Sequence, residues 1–243
     1  GNVAPNQLTV LRTTIPFVDT VTNRRAAIGG VDGERIEQAK ARGPATIRSG
    51  QRAVTASDFE LIAAEASRQV SRARALPPVE PGAPVRLLIV PAITVPGRRR
   101  ELRDVAIPGP LYEAVREHIE PRRLLGMSVE IGTPRYLGVS VVARVEVQTG
   151  RDAELTRQRA MDTLYSHLDP VTGGPDGHGW PWDAPLTVSY IVALLSAVEG
   201  VVRVQDVLLF EADEQTGERA PQGLTYMPLE PDALWFPVRH LVM

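Results

Sequence analysis

The densest grouping of side chains able to do chemistry is the run Asp169-Pro170-Val171-Thr172-Gly173-Gly174-Pro175-Asp176-Gly177-His178-Gly179-Trp180-Pro181-Trp182-Asp183. Its carboxylates and imidazole could hold a cation, with Asp169, Asp176, His178 and Asp183 as ligands. A calcium loop of the EF-hand kind would alternate its oxygen ligands and close on a bidentate glutamate, and this run does neither. A phosphate-binding reading of the glycines requires a following Gly-Lys-Ser/Thr and a strand leading into a helix, and neither accompanies them. Four glycines and three prolines specify instead a loop of fixed, unusual backbone angles, pinned by Trp180 and Trp182. Those indoles either anchor an interface or bury themselves inside the chain, and the sequence leaves both open.

The remaining reactive types are scattered. His118, His167, His178 and His240 lack the i, i+4 pairing of a zinc helix, and no nucleophile elbow or nucleophile–base pattern accompanies them. Cysteine is absent, which excludes disulfides, thiolate catalysis and cysteine-ligated metal centres. Arg98, Arg99, Arg100 and Arg103 form the one basic cluster, without an interleaved aromatic on which a base could stack, so a solvated or subunit-contacting loop is expected there. The carboxylate pairs Glu211 with Asp213 and Glu230 with Asp232 sit at loop edges and are assigned to solvent. No catalytic, cofactor-binding or metal-binding set emerges, and a non-enzymatic role is expected.

The composition is that of an ordinary globular chain: 243 residues, 43% of them apolar, enough for one sizeable core or two small ones. A formal charge of −2 offers no global field for nucleic acid or an anionic membrane. Apolar runs such as Leu87 to Val90 and Val207 to Phe210 fall far short of the ~20 residues of a membrane span. The chain opens at Gly1 without methionine, and further sequence ahead of it is expected.

The elements that must position these residues follow from periodicity. Residues 1–31 mix short β-type runs, Leu8 to Leu11 and Ile15 to Val21, with Pro5, Pro16 and Gly29-Gly30, and read as strands on an arm. Residues 32–52 carry charges at helical spacing until Gly43-Pro44, which is expected to stop the helix. Thr55 and Asp58 make a capping-box start for a helix whose stripe is Phe59, Ile62, Ala63, Ala66 and Val70. Arg72 to Leu76 and Val85 to Val90 then form a hairpin around a Pro/Gly-rich turn, and Leu111 to Ile119 a second helix. Met127 to Ile131 is a strand, and Val139, Val141, Ala143, Val145 and Val147 alternate strictly with polar residues along another. Helices are expected over Ala153 to Leu168 and from Val188 to a stop at Gly200. Val201 to Phe210 and Leu234 to Val242 return as strand segments.

This order predicts an α+β fold of two ferredoxin-like, split βαβ-type modules behind a β-rich arm. The expected divisions are 1–52 for the arm with its short helix and linker, 53–133 for the first module and 134–243 for the second.

Several strings carry a resemblance when taken together. Val21-Thr22-Asn23, Gly29-Gly30-Val31-Asp32-Gly33-Glu34, Ala39-Lys40-Ala41-Arg42 and Arg52-Ala53-Val54-Thr55-Ala56-Ser57-Asp58-Phe59-Glu60 resemble, in order and spacing, the signature of the baseplate J family. Arg123-Leu124-Leu125-Gly126, Pro134-Arg135-Tyr136 and the loop from Asp169 to Trp182 resemble the carboxy-terminal half of the same family. The similarity spans most of residues 10 to 211. Two positions depart from the pattern: Arg24 stands where proline is expected, and Asp183 where glycine usually follows the aromatic.

The resemblance implies a structural wedge component of phage tails and contractile injection systems, ringed about a hub and gripping the sheath. It implies no catalytic residues and no cofactor. Its expected partners are other wedge subunits, including further copies of itself or a paralogue, and hub, spike and sheath proteins, with neither nucleic acid nor a membrane span involved. Assembly in the bacterial cytoplasm is implied, with release outside the cell left open. Asn23, Gly29, Gly30, Asp32, Arg52, Gly173, Gly174, Asp176, Trp180 and Trp182 are the candidate assembly and loop residues. Two competing classes stand beside this reading: a small-molecule-binding regulatory module with tandem ferredoxin-like units, and a metal-dependent hydrolase built on the Asp169 to Asp183 loop.

Overall fold

The computed structural model describes residues 3–27, 36–92 and 99–243. The backbone gathers into two compact units, Gly1–Gly50 and Gln51–Met243. Gly29, Gly30 and Asp32 lie outside the described residues, as does Arg98.

In the first unit the strands expected at Leu8 to Leu11 and Ile15 to Val21 do not form. Val3 and Ala27 make one isolated antiparallel bridge, and the segment between them is coil and turn. A strand needs a ladder partner, and none is present for these runs among the described residues, while Pro16 has no N–H to offer. Leu8, Val10, Ile15 and Phe17 consequently stand exposed. The arm is closed by Asn23, whose Oδ1 accepts from the N–H groups of Gln7 (3.0 Å) and Leu8 (2.9 Å) and whose Nδ2 donates to the carbonyls of Ala4 and Arg25 (both 2.9 Å).

Helix α1, Ile36–Ser49, runs through Pro44 and ends only at Gly50, where φ is 55°. The expected stop at Gly43-Pro44 is therefore corrected. Proline costs a helix its N–H and crowds the carbonyl four residues back, but the added clash with the Cβ of the preceding residue is missing here because that residue is Gly43. Arg48 Nε caps the Pro44 carbonyl at 3.3 Å.

The second unit begins with α2, Ala56–Ala66, entered through the capping box the sequence specifies: Thr55 N–H donates to Asp58 at 2.8 Å, and Asp58 N–H donates to the Thr55 hydroxyl at 3.3 Å. Phe59, Ile62 and Ala63 are its buried face. Strands β1, Val70–Leu76, and β2, Val85–Pro91, form the antiparallel hairpin, in the register Ala73 to Ile89 and Ala75 to Leu87. A 3-10 turn, Leu102–Val105, precedes α3, Gly109–Ile119, and β3, Val129–Gly132, returns parallel to β2 with Leu87 opposite Ile131. Sheet order is β1-β2-β3. The continuous apolar run of β2 follows from its central position: Leu87 and Ile89 pack under α2 and α3, and Val90 packs into a different cluster with Leu234 and Phe236.

The second sheet is built on β4, Arg135–Val147, whose Val139, Val141 and Ala143 are fully buried. Helices α4, Ala153–His167, and α5, Val188–Ser196, cover this face through Ala160, Leu164, Ile191 and Leu195. A short pair, β5, Leu186–Thr187, and β7, Tyr226–Met227, stands apart from that sheet. β4 pairs antiparallel with β6, Val201–Glu211, and parallel with β8, Ala233–Pro237, and β9, Leu241–Val242. Gly200, at φ 94°, leads into β6; α5 itself ends earlier, at Ser196.

The architecture is α+β, as the sequence predicts. Its pairing is simpler than a split βαβ unit, since β2 and β3 are direct neighbours with no strand between them. A third cluster, containing Val90, Val105, Val171, Ala212, Leu234 and Phe236, joins the two sheets.

Candidate functional site

The glycine–tryptophan loop leaves the carboxy terminus of α4, and Asp169 organises its first turn. Asp169 Oδ1 accepts from the N–H groups of Val171 and Thr172, both at 2.8 Å. Its Oδ2 accepts from Arg100 Nε at 2.8 Å in an ion pair whose side chains are 6% and 13% exposed. The Gly174 N–H donates to the His167 carbonyl at 2.7 Å, and the Gly179 N–H to the Gly173 carbonyl at 2.8 Å, which folds the loop back on itself. Gly174 and Gly179 lie at φ 75° and 87°, and a Cβ on either would stand 2.4 Å from a carbonyl oxygen. Only glycine fits there.

Two arginines of β1 grip this loop from across the inter-sheet cluster. Arg72 donates to the carbonyls of Pro170 (3.1 Å) and Trp180 (2.7 Å), and its guanidinium lies 4.9 Å from the centre of the Trp182 ring. Burial pulls its pKa down to about 10, which still leaves it charged at neutral pH. With no carboxylate bonded to it among the described residues, this cation is held by carbonyl dipoles and a π face. Arg74 reaches Asp183 at 2.5 Å. Asp183, where glycine was expected, adopts φ 61°; aspartate tolerates this left-handed conformation better than most residues, so the turn survives the substitution.

The indole question resolves inward for Trp180, which is 3% exposed, donates through Nε1 to the Ala184 carbonyl at 2.9 Å and packs edge-on to Tyr190. Trp182 is half-buried in the cluster between the sheets. His167 bonds to the Tyr190 hydroxyl, and burial lowers its pKa. Gly173 and Gly174 are buried, whereas Asp176 and His178 face solvent at the loop tip.

The four residues considered for a cation are thus dispersed: Asp169 is committed to backbone N–H groups and Arg100, Asp183 to Arg74, and the other two to solvent. Among the described residues no group of three or more His, Asp or Glu side chains could hold a metal ion, and no helix is long and apolar enough to cross a membrane.

Of the basic cluster, Arg100 is buried against Asp169, Arg103 pairs with Glu101 at 2.7 Å, and Arg99 lies 3.6 Å from the centre of the Tyr165 ring. The expectation of a solvated or subunit-contacting loop is corrected for Arg100, because a carboxylate 69 residues away was invisible to local pattern. Asp232 likewise leaves solvent to meet Arg86 at 3.1 Å and Arg135 at 3.5 Å, linking the first sheet to the second. Arg52 is exposed just ahead of Ala53, which bridges to Arg123.

No local pattern singles out His240 from the other scattered histidines. Between β8 and β9 the chain bulges at Arg239, φ 39°, and the His240 ring fills the gap: its Nδ1 accepts from the Val141 N–H at 2.9 Å. The Ser140 hydroxyl, itself an acceptor from Arg219 Nε at 2.7 Å, donates to the Arg239 carbonyl at 2.9 Å. His240 is 4% exposed, and burial, with Arg99 and Arg219 adding to it, drives its pKa down to about 3. With Nδ1 accepting, the neutral ring carries its hydrogen on Nε2, which has no partner among the described residues.

No protein-family model matches the chain, and no curated protein matches it. Among solved structures it is similar to a chain in the cryo-EM structure of the anti-feeding prophage (AFP) baseplate, 6-fold symmetrised, at 17% identity and a TM-score of 0.59. The superposition covers 97% of this chain and 49% of that one, so this chain spans about half the length of its structural neighbour. The two share a fold.

Proposed function

We propose that this chain is a structural component of a contractile, phage-tail-like injection particle, acting as a wedge subunit of its baseplate. The observation that carries the reading is the fold shared, over nearly the whole chain, with a chain of the AFP baseplate. The ordered strings resembling the baseplate J family support it from the sequence side.

The geometry suits a part that transmits force. Residues 53–133 and 134–243 serve as two modules joined by an apolar cluster, by Arg72 and Arg74 on the glycine–tryptophan loop, and by Arg86 on Asp232. Directional, partly desolvated bonds of this kind hold orientation more than they add stability. The exposed apolar arm, residues 3–27, is left for contacts with neighbouring wedge subunits, and the hub and sheath are the further partners this role requires.

The test is to detect the protein by antibody in a native lysate and ask whether it sediments with sheath-and-tube particles and lies at their baseplate end. Co-sedimentation at that end is expected. A small free species without a particle refutes the reading and favours a ligand-binding module, which ligand-induced stabilisation of the chain would then identify.

A further inference from the structure

A cleft of about 520 Å³ opens beside the carboxy-terminal end of β6, floored by Met227, Pro228 and Trp235 and rimmed by Glu211, Asp213 and Glu218. The rim carboxylates are exposed. Asp213 accepts from its own turn, from the backbone N–H groups of Gln215 and Thr216 and from the Thr216 side chain, and neither Glu211 nor Glu218 has an ion-pair partner among the described residues. Trp235 and Met227 are each 1% exposed, so the apolar surface open at the floor is chiefly that of Pro228. The cleft is therefore mainly a carboxylate-rimmed surface, in which Arg135 is paired with Glu230.

The amino-terminal arm has the opposite properties. Leu8, Val10, Ile15 and Phe17 are exposed by half or more, and Phe17 entirely. Its charges are Arg12, Arg24 and Arg25 against the single Asp19, and none of the three arginines has a side-chain partner among the described residues. Between Thr9 and Thr22 the backbone makes one internal main-chain hydrogen bond among the described residues, Val18 N–H to Ile15 carbonyl at 3.2 Å, so most of its backbone groups are left for other partners.

We infer that the arm of a second copy of this chain docks in this cleft, its arginines on Glu211, Asp213 and Glu218 and its apolar residues against Pro228. The inference rests on the reading of the chain as a ring-forming baseplate part and names the surfaces by which one copy would hold the next. Such a contact is heterologous, since arm and cleft are different surfaces, and heterologous contacts close into rings when their rotation allows.

The experiment uses the full chain. Sedimentation equilibrium across a concentration series and at two salt levels should show self-association that weakens with salt. Glu211→Lys with Glu218→Lys, and separately Arg12→Glu, should each weaken it by about tenfold or more, and mixing the two variants should recover part of the loss. These positions are exposed, and circular dichroism checks that each variant is folded. A labelled synthetic peptide of residues 3–27 should bind the dilute wild-type chain and lose that affinity on the reversed cleft. A wild-type chain that stays monomeric to about 100 μM, or charge reversals that leave association unchanged, overturns the contact. Failure of the two readings is distinguishable: a monomeric chain that still sediments with particles refutes only the contact, and a self-associating chain that never does so refutes only the baseplate role.

Discussion

Replacing His240 separates two things the ring does, and the structure sets the size of each. Its pKa of about 3 against an ordinary value of 6.5 means that the unfolded chain binds a proton there that the folded chain refuses. Above about pH 6.5 the ring is neutral in both states and costs nothing. As pH falls below 6.5 the unfolded state gains the proton and stability declines by about 1.4 kcal/mol per pH unit, levelling only near pH 3. At pH 5.0 the loss from this one residue is about 2 kcal/mol. His240→Asn keeps an acceptor near the Nδ1 position and His240→Leu removes it, and neither titrates. Urea unfolding followed by tryptophan fluorescence at pH 7.5 and 5.0 should show both variants losing about 2 kcal/mol less than wild type between the two pH values, because the other histidines titrate alike in all three. At pH 7.5 the leucine variant should lose about 1–3 kcal/mol for the orphaned Val141 amide, and that amide should lose hydrogen-exchange protection that the asparagine variant retains. An unchanged pH dependence in both variants, or full protection of Val141 in the leucine variant, refutes the argument.

Other substitutions test the clasp and the arm. Arg72→Met leaves the Pro170 and Trp180 carbonyls without their donor and should cost about 2–4 kcal/mol in thermal unfolding, with Arg72→Lys recovering only part because a point charge cannot reproduce the planar fork. Gly179→Ala sets a Cβ against the Pro170 carbonyl at φ 87° and should cost upward of about 2 kcal/mol, read as a lowered melting temperature. Asp169→Ala strips caps from two backbone N–H groups and takes the carboxylate from a buried Arg100, so a loss of about 1–3 kcal/mol is expected in chemical denaturation. Asn23→Ala should free residues 4–8 to proteolysis while leaving the melting of residues 51–243 unchanged.

The fold reported by sequence and the fold observed agree best where the signal is local, although the helix stop expected at Gly43-Pro44 was overridden. The Thr55–Asp58 capping box, the alternation along β4 and the stripes of α4 and α5 are written within one or two turns of chain, and each element formed where its pattern lies. The loop from Asp169 to Asp183 could likewise be read as rigid, because glycines and prolines constrain φ regardless of surroundings.

Tertiary structure decided the remainder. Leu8 to Leu11 has strand composition and no strand, since a ladder is a bond to a distant partner and composition cannot supply one. Whether Trp180 turned inward, which carbonyls Arg72 would meet 98 and 108 residues away, and that a lone histidine would replace a missing strand hydrogen bond were all outside local periodicity. Sequence alone determined most of the elements from Thr55 onward, because backbone propensity and the burial of one face act over a few residues. Only the tertiary structure determined which polar groups meet, because desolvation obliges each buried donor and acceptor to find a partner wherever packing brings one.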